Sequence, residues 1–183
     1  QPKDLDLIIN ASGTPEQAIP DGGPLLQRRL GLGNSGITAM SVHTTCLSLL
    51  SALDVAASFI ATGRYRNILI SSSEMGSVSV YGKDPKSESL WGDAAACAVL
   101  SETPKDESSA VNHVTFKTYG DGADFTACFG AGALHHPRYP ETTADHCRFI
   151  MKGADVLQMA VSKGPDFFAA FYPKALRGDF SEI

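Results

Sequence analysis

The stretch SVHTTCLSLLSALDVAASFIATG, residues 41–63, decides how the chain folds, because its character changes at its sixth residue. The run ITAMSV (37–42) that leads into it is short and apolar, which predicts a strand. From Leu47 to Thr62 no proline or glycine intervenes, and Leu49, Leu50, Leu53, Ala57 and Ile60 recur at helical spacing, with Gly63 placed to stop the helix. Cys46 therefore sits where a strand turns into a helix. The first backbone N–H groups of a helix lack intrahelical partners and carry the positive end of its dipole, which favours a thiolate and leaves a donor for an oxyanion. That junction is a general way to expose one nucleophile beside a ready donor. A cysteine alone reads more readily as a small buried hydrophobe, so its surroundings must decide.

Working outward, LDLIINA (5–11) has the pattern of a buried strand followed by a turn, and PLLQRRLGLGNSG that of a short helix with Pro24 in its first turn. RNILISSS (66–73) predicts the next buried strand. EMGSVSVYGKDPKSES is a polar crossing with turn chemistry at Lys83 to Pro85, and LWGDAAACAVLSE (90–102) is a strand rich in small residues. VNHVTFKTYG (111–120) alternates like a half-buried strand, residues 120–147 read as loop, and GADVLQMAVSKGPDFFAAFY is helical around Gly164-Pro165, which either kinks the helix or starts a second one. Phe167, Phe168, Phe171 and Tyr172 form a stripe expected to face the core. The tail around Ser181-Glu182 resembles a lead into a further element. Strands alternating with helices predict an α/β layered domain.

The 183 residues are 43% hydrophobic and 19% charged, an ordinary composition for a globular domain, with a net charge of -5. The basic residues are scattered rather than clustered, so nucleic acid is not an expected partner. No apolar run is long enough to span a bilayer, and QPKDLDLII lacks the layout of a signal peptide, so no membrane partner and a cytoplasmic location are expected. Cys46, Cys97, Cys128 and Cys147 are irregularly spaced and read as reduced thiols. The start at Gln1, inside what reads as structured sequence, suggests a piece of a longer chain.

In order and spacing, the blocks LIINASGTPEQAIPDGGPLLQRRLGL, the strand and helix around Cys46, GRYRNILISSSE and LWGDAAACAVLSE resemble the β-ketoacyl-acyl carrier protein synthase III family of the thiolase superfamily, from Leu5 to about Phe171. LWGDAAACAVLSE resembles the family's Phe-Gly-Asp-Gly-Ala-Gly strand. The resemblance implies a thiolase-like layered α/β fold, with residues 1–183 forming an incomplete domain, mainly the nucleophile-bearing half of an αβαβα sandwich. It implies that Cys46 accepts an acyl group from coenzyme A or acyl carrier protein as a thioester and passes it to a malonyl or 3-ketoacyl thioester, with no permanently bound cofactor. It further implies an oxyanion hole that uses the Cys46 N–H, and a homodimer whose interface includes the strand at 66–73. Ile19 falls where many relatives carry a Phe that closes the partner's acyl pocket, so it is expected to shape the substrate site.

The departures from the family are equally definite. Condensing members pair the cysteine with a His in a Pro-His-Gln-Ala-like motif and an Asn in a Gly-Asn-Thr-Ser-like motif, and neither motif occurs in these residues. Gly33-Asn34-Ser35 imitates the second only in composition and reads as a turn. His43 lies three residues before Cys46, about 10 Å away along an extended strand, so a hydrogen-bonded or pocket-lining role is expected rather than that of base. HTTC in place of the Ala-Ala-Ala-Cys common in fatty-acid members points to a specialised route. It leaves open an O- or N-acyl transfer, and the missing His and Asn pair leaves open a non-catalytic binding subunit. His135, His136, His146 and Cys147 match no zinc spacing, and Gly120-Asp121-Gly122 and Gly130-Ala131-Gly132 lack the helix and lysine of a phosphate cradle. Arg64, Arg66, Lys83 and Lys86 read either as solvated surface or as cations that steer a coenzyme A phosphate or an acidic carrier protein.

Overall fold

Leu7, Ile8 and Ile9 are fully buried because the strand that carries them, β1 (Leu7–Asn10), has a neighbour on each side and a helix layer over each face. A computed structural model describes residues 1–80, 85–130 and 132–179, without the side chains of residues 86, 87, 175 and 176. The chain divides into two compact units, one formed by Gln1–Gly76 with Gly92–Val114, the other by Ser77–Trp91 with Thr115–Ile183.

The first unit is built on a four-stranded sheet. Its elements are β1, α1 (Gly22–Arg29), β2 (Thr38–Ser41), α2 (Ser48–Ala61), β3 (Asn67–Met75) and β4 (Asp93–Ser101), with strand order β2-β1-β3-β4. β1 runs parallel to both β2 and β3, with Ile8 level with Ala39 on one side and Leu69 on the other. β4 is antiparallel to β3, from Asn67 opposite Ser101 to Met75 opposite Asp93. The Asp6 carboxylate accepts the N–H groups of Arg66 and Asn67 at 2.9 and 3.0 Å, which pins the start of β3 to that of β1.

Alternation then assigns the faces. Leu7, Ile9, Ala11, Ile68 and Ile70 form one core cluster with Ala52 and Ala56 of α2, all with no exposed surface. Alanine at the contact lets the helix lie close to the sheet. Leu69, of opposite parity, shares a hollow of about 450 Å³ with Leu26 of α1 and with Leu30, its C-cap, so α1 covers the other face. Gly23 makes that approach possible, because a Cβ there would stand 2.7 Å from the Met40 backbone. Gly63, at φ +69°, closes α2 as its position predicts.

In the second unit, α3 (Pro85–Glu88), β5 (Thr126–Ala127), β6 (Ile150–Met151) and α4 (Gly153–Phe171) are joined by long connections. Residues 111–119 form no strand: the alternation is present, but among the described residues no ladder partner lies beside it, and Val111 is half exposed. The stretch read as loop, 120–147, holds the short strand β5, which pairs antiparallel with β6 just beyond it. The helix around Gly164-Pro165 is one continuous helix; Pro165 removes a single backbone donor, whose i−4 acceptor is Val161, and the turns on either side persist. The aromatic stripe is not buried. Phe167 packs against Phe168 and Phe171 at 5.5 and 5.8 Å between ring centres, and α4 has no buried residue. Lys83, Ala131 and Ser181-Glu182 lie outside the described residues, as does the Lys86 side chain. Among the described residues no helix is long and apolar enough to cross a membrane.

Candidate active site

After β2 the chain stays in register for one more residue, the Val42 N–H donating to the Asn10 carbonyl at 2.9 Å, and then leaves the sheet through His43-Thr44-Thr45-Cys46. α2 begins at Ser48 with Leu47 as its N-cap, so Cys46 stands one residue ahead of the N-cap and is exposed. The turn that brings it there passes through Thr45 at φ +50°, the one described residue other than glycine in the left-handed region. A β-branched side chain is disfavoured there, and such a conformation persists only where its surroundings impose it.

Those surroundings are explicit. The Thr44 carbonyl accepts the Leu47 N–H at 3.1 Å and the Thr45 hydroxyl at 2.8 Å. The Thr45 carbonyl accepts the Ser48 N–H at 3.0 Å and the Ser48 hydroxyl at 2.7 Å, while the Thr44 N–H donates to that same Ser48 oxygen at 2.9 Å. Ser48 is 1% exposed. Thr44 and Ser51 pair through their hydroxyls at 2.7 Å.

The loop after β1 runs beside this turn. A Cβ on Gly13 would stand 3.1 Å from the Thr45 carbonyl oxygen and 3.4 Å from Glu74. The Glu74 carboxylate, near the end of β3, accepts the Gly13 N–H at 2.6 Å, the Thr14 N–H at 3.0 Å, the Thr14 hydroxyl at 2.9 Å and the Ser72 hydroxyl at 3.1 Å. One carboxylate thus gathers the loop and fixes it against the nucleophile turn.

His43 is exposed and its Nδ1 lies 3.3 Å from the Ser12 carbonyl oxygen. A carbonyl can only accept, so Nδ1 is the donor in this bond, and Nε2 is not used by it. Ile19, on the loop between β1 and α1, is 87% exposed, an apolar side chain without cover in its own chain. Gly33-Asn34-Ser35 is a turn, with the Ser35 hydroxyl donating to the Leu32 carbonyl at 2.7 Å. Arg64 lies over the rings of Phe59 and Tyr65 at 5.1 and 5.6 Å. In the second unit His135 stacks on His146 at 3.9 Å; among the described residues no group of three or more metal-ligating side chains is assembled.

Sequence reasoning singled out Cys46 and His43 but missed Thr45, Ser48, Gly13 and Glu74. A serine in the first turn of a helix gives no sign that it bonds backwards, and Glu74 meets its partners across some sixty residues of chain.

Residues 40–122 match the model of the family described as 3-Oxoacyl-[acyl-carrier-protein (ACP)] synthase III. The chain is similar to beta-ketoacyl-[acyl-carrier-protein] synthase III 2 of Bacteroides thetaiotaomicron, 30% identical over 94% of this chain and 50% of that protein. It is also similar to beta-ketoacyl-[acyl-carrier-protein] synthase III of Synechocystis, 31% identical over 96% of this chain and 52% of that protein. Among solved structures, 3-oxoacyl-[acyl-carrier-protein] synthase III from Aquifex aeolicus superposes with a TM-score of 0.70 at 25% identity, over 86% of this chain and 45% of that one. The chain spans about half the length of the curated relatives it matches.

Proposed function

We propose, from the premise that this chain is a partial 3-oxoacyl-[acyl-carrier-protein] synthase III-like protein with a thiolase-like fold, that it is the nucleophile-bearing part of an acyltransferase acting through Cys46. The observation that carries this reading is the exposed Cys46 at the strand-to-helix turn, within the residues that match the family model.

The Cys46 thiolate attacks the carbonyl carbon of an acyl-coenzyme A or acyl carrier protein thioester. A tetrahedral oxyanion forms and collapses, the donor leaves as its thiolate, and the acyl group remains on the Cys46 sulfur. The Cys46 backbone N–H is a donor for that oxyanion, ahead of the free N–H groups of α2. In the second half of the reaction a carbanion, made by loss of carbon dioxide from a malonyl thioester or of a proton from a 3-ketoacyl thioester, attacks the acyl carbon. The new carbon–carbon bond forms as the carbon–sulfur bond breaks, and Cys46 returns to thiolate.

In this reading Ile19 and His43 line the acyl site, Ile19 through its uncovered side chain and His43 through the Nε2 that its bond to Ser12 leaves free. The setting is cytoplasmic and the assembly a homodimer. β3 is paired on both edges, so it does not supply a strand seam; among the described residues β2 and β4 each keep one edge open. Incubating the full-length protein with an acyl-coenzyme A should add the acyl mass to the Cys46 peptide, with hydroxylamine removing it and C46A abolishing it. Labelling of another cysteine, or none in folded protein, overturns the proposal.

A further inference from the structure

Thr45 is held in a conformation that a threonine does not choose, and the group that holds it is Ser48. The Ser48 side chain has one proton to give and lone pairs to accept with. It gives the proton to the Thr45 carbonyl at 2.7 Å and accepts the Thr44 N–H at 2.9 Å. It therefore ties the peptide group that precedes Thr44 to the one that follows Thr45, with the left-handed residue held between them. Ser48 itself is 1% exposed, so its hydroxyl is turned away from solvent. Take the hydroxyl away and the Thr44 N–H loses its partner, while the Thr45 carbonyl keeps only the Ser48 N–H. Nothing intrinsic to threonine then favours φ +50° over the ordinary negative region.

The consequence falls on Cys46. A change of sign in φ at one residue redirects the peptide that follows, and here that peptide carries the Cys46 N–H. If that redirection occurs, the turn has a held form and a released form, with the balance set by the serine.

We propose that Ser48 is a positioning residue: its buried hydroxyl locks Thr45 in the left-handed conformation and so fixes the direction of the Cys46 sulfur and backbone N–H. It touches no substrate and acts only through Thr45. The inference rests on the reading of Cys46 as the acyl-accepting nucleophile for its functional meaning, while its structural half stands alone. If Ser48 keeps the held form dominant, losing it lowers the reactive fraction, and the rate falls in proportion to that fraction without a new pH midpoint. Glycine at position 45, which adopts positive φ at no steric cost, makes the lock dispensable.

The test uses the full-length protein with S48A, T45G and the double variant S48A/T45G. Crystal structures report φ at position 45, and the rate of Cys46 acylation by an acyl-coenzyme A is followed by mass spectrometry across pH. S48A is expected to move Thr45 to negative φ and to slow acylation about tenfold at every pH, with the midpoint unmoved. With T45G as its own reference, S48A/T45G should acylate at close to the T45G rate and faster than S48A, because the lock has nothing left to hold. A left-handed Thr45 in S48A overturns the proposal, as does a released Thr45 with acylation unchanged, or a double variant no faster than S48A. If S48A does not fold, the double variant decides: folded and acylated supports the lock, unfolded overturns it, since relief of the turn would not then be what Ser48 supplies. Should the parent protein take no acyl group at all, the acyl-transfer reading fails, while φ at Thr45 in S48A still decides the lock.

Discussion

At Gly13 the missing side chain is what the site needs, because the nearest obstacle to a Cβ is the backbone carbonyl of Thr45 at 3.1 Å, an atom already bonded to Ser48 twice. G13A must therefore displace either the loop held by Glu74 or the turn that carries Cys46. Overpacking of this kind costs about 1–3 kcal/mol. The expected outcome is a loss near the lower end of that range in urea denaturation, together with slower acylation of Cys46; full stability and full rate in G13A would show that the contact yields freely. A second residue carries a pH dependence. Cys128 is exposed as a residue, yet partial burial around its sulfur pushes the thiol above its ordinary value of 9.0; nearby Cys147 pushes the same way, and a hydrogen bond with the Gly130 backbone pulls it down. A folded value above the unfolded one means that this contribution to stability is fully present below the unfolded value and is lost as pH rises through the folded one. Alkylation of Cys128 in the folded protein should accordingly begin to rise at higher pH than in the urea-unfolded chain. Coincident profiles would contradict it.

Between α1 and the sheet the spacing is set by Gly23, whose added Cβ would lie 2.7 Å from the N, C and O atoms of Met40. Backbone on backbone has no rotamer to retreat into. G23A is expected to push α1 off β2 and lower stability by about 2–3 kcal/mol, read by chemical denaturation, and a change under 0.5 kcal/mol (roughly the noise expected of surface substitutions) would mean that the helix slides at little cost. The elements with an internal partner were legible in the sequence for related reasons. LDLIINA and RNILISSS are continuous apolar runs because β1 and β3 are inner strands, and the helix from Leu47 to Thr62 is found as Ser48–Ala61 because its spacing and its closing glycine agree. What was illegible depended on distant partners. Residues 111–119 have the alternation of a strand but form no ladder, and the short β5 and β6 pair has a ladder without the alternation. The site divides in the same way. Cys46 is visible at a junction of two local patterns, whereas Glu74 gathers Gly13 and Thr14 from the far end of a sheet, and the direction of the Ser48 hydroxyl follows from a left-handed residue that no threonine announces.

Across the whole molecule the apolar surface left uncovered falls on particular faces. On α2, Leu50 is 49% exposed, although the opposite side of the same helix holds Ala52 and Ala56 at zero. A helix that is apolar on both faces belongs between two layers rather than at a surface. α4 repeats the case within its own unit: Leu157, Val161 and Phe168 are exposed, and the helix has no buried residue, so packing inside its own unit contributes little to holding it. The chain spans about half the length of the curated relatives it matches, and a layered domain that long would supply a cover for the bare face of α2. A single substitution tests this in two contexts. L50D should leave the stability of the 183-residue chain nearly unchanged, since half of that side chain already meets solvent. In the full-length protein it should cost about 2–3 kcal/mol, the scale for losing a buried leucine, with the charge adding to the loss. The dye ANS should bind the short chain and not the full-length protein. Equal costs in the two contexts would mean that Leu50 faces water in both, and that the layer this helix requires does not form on that side.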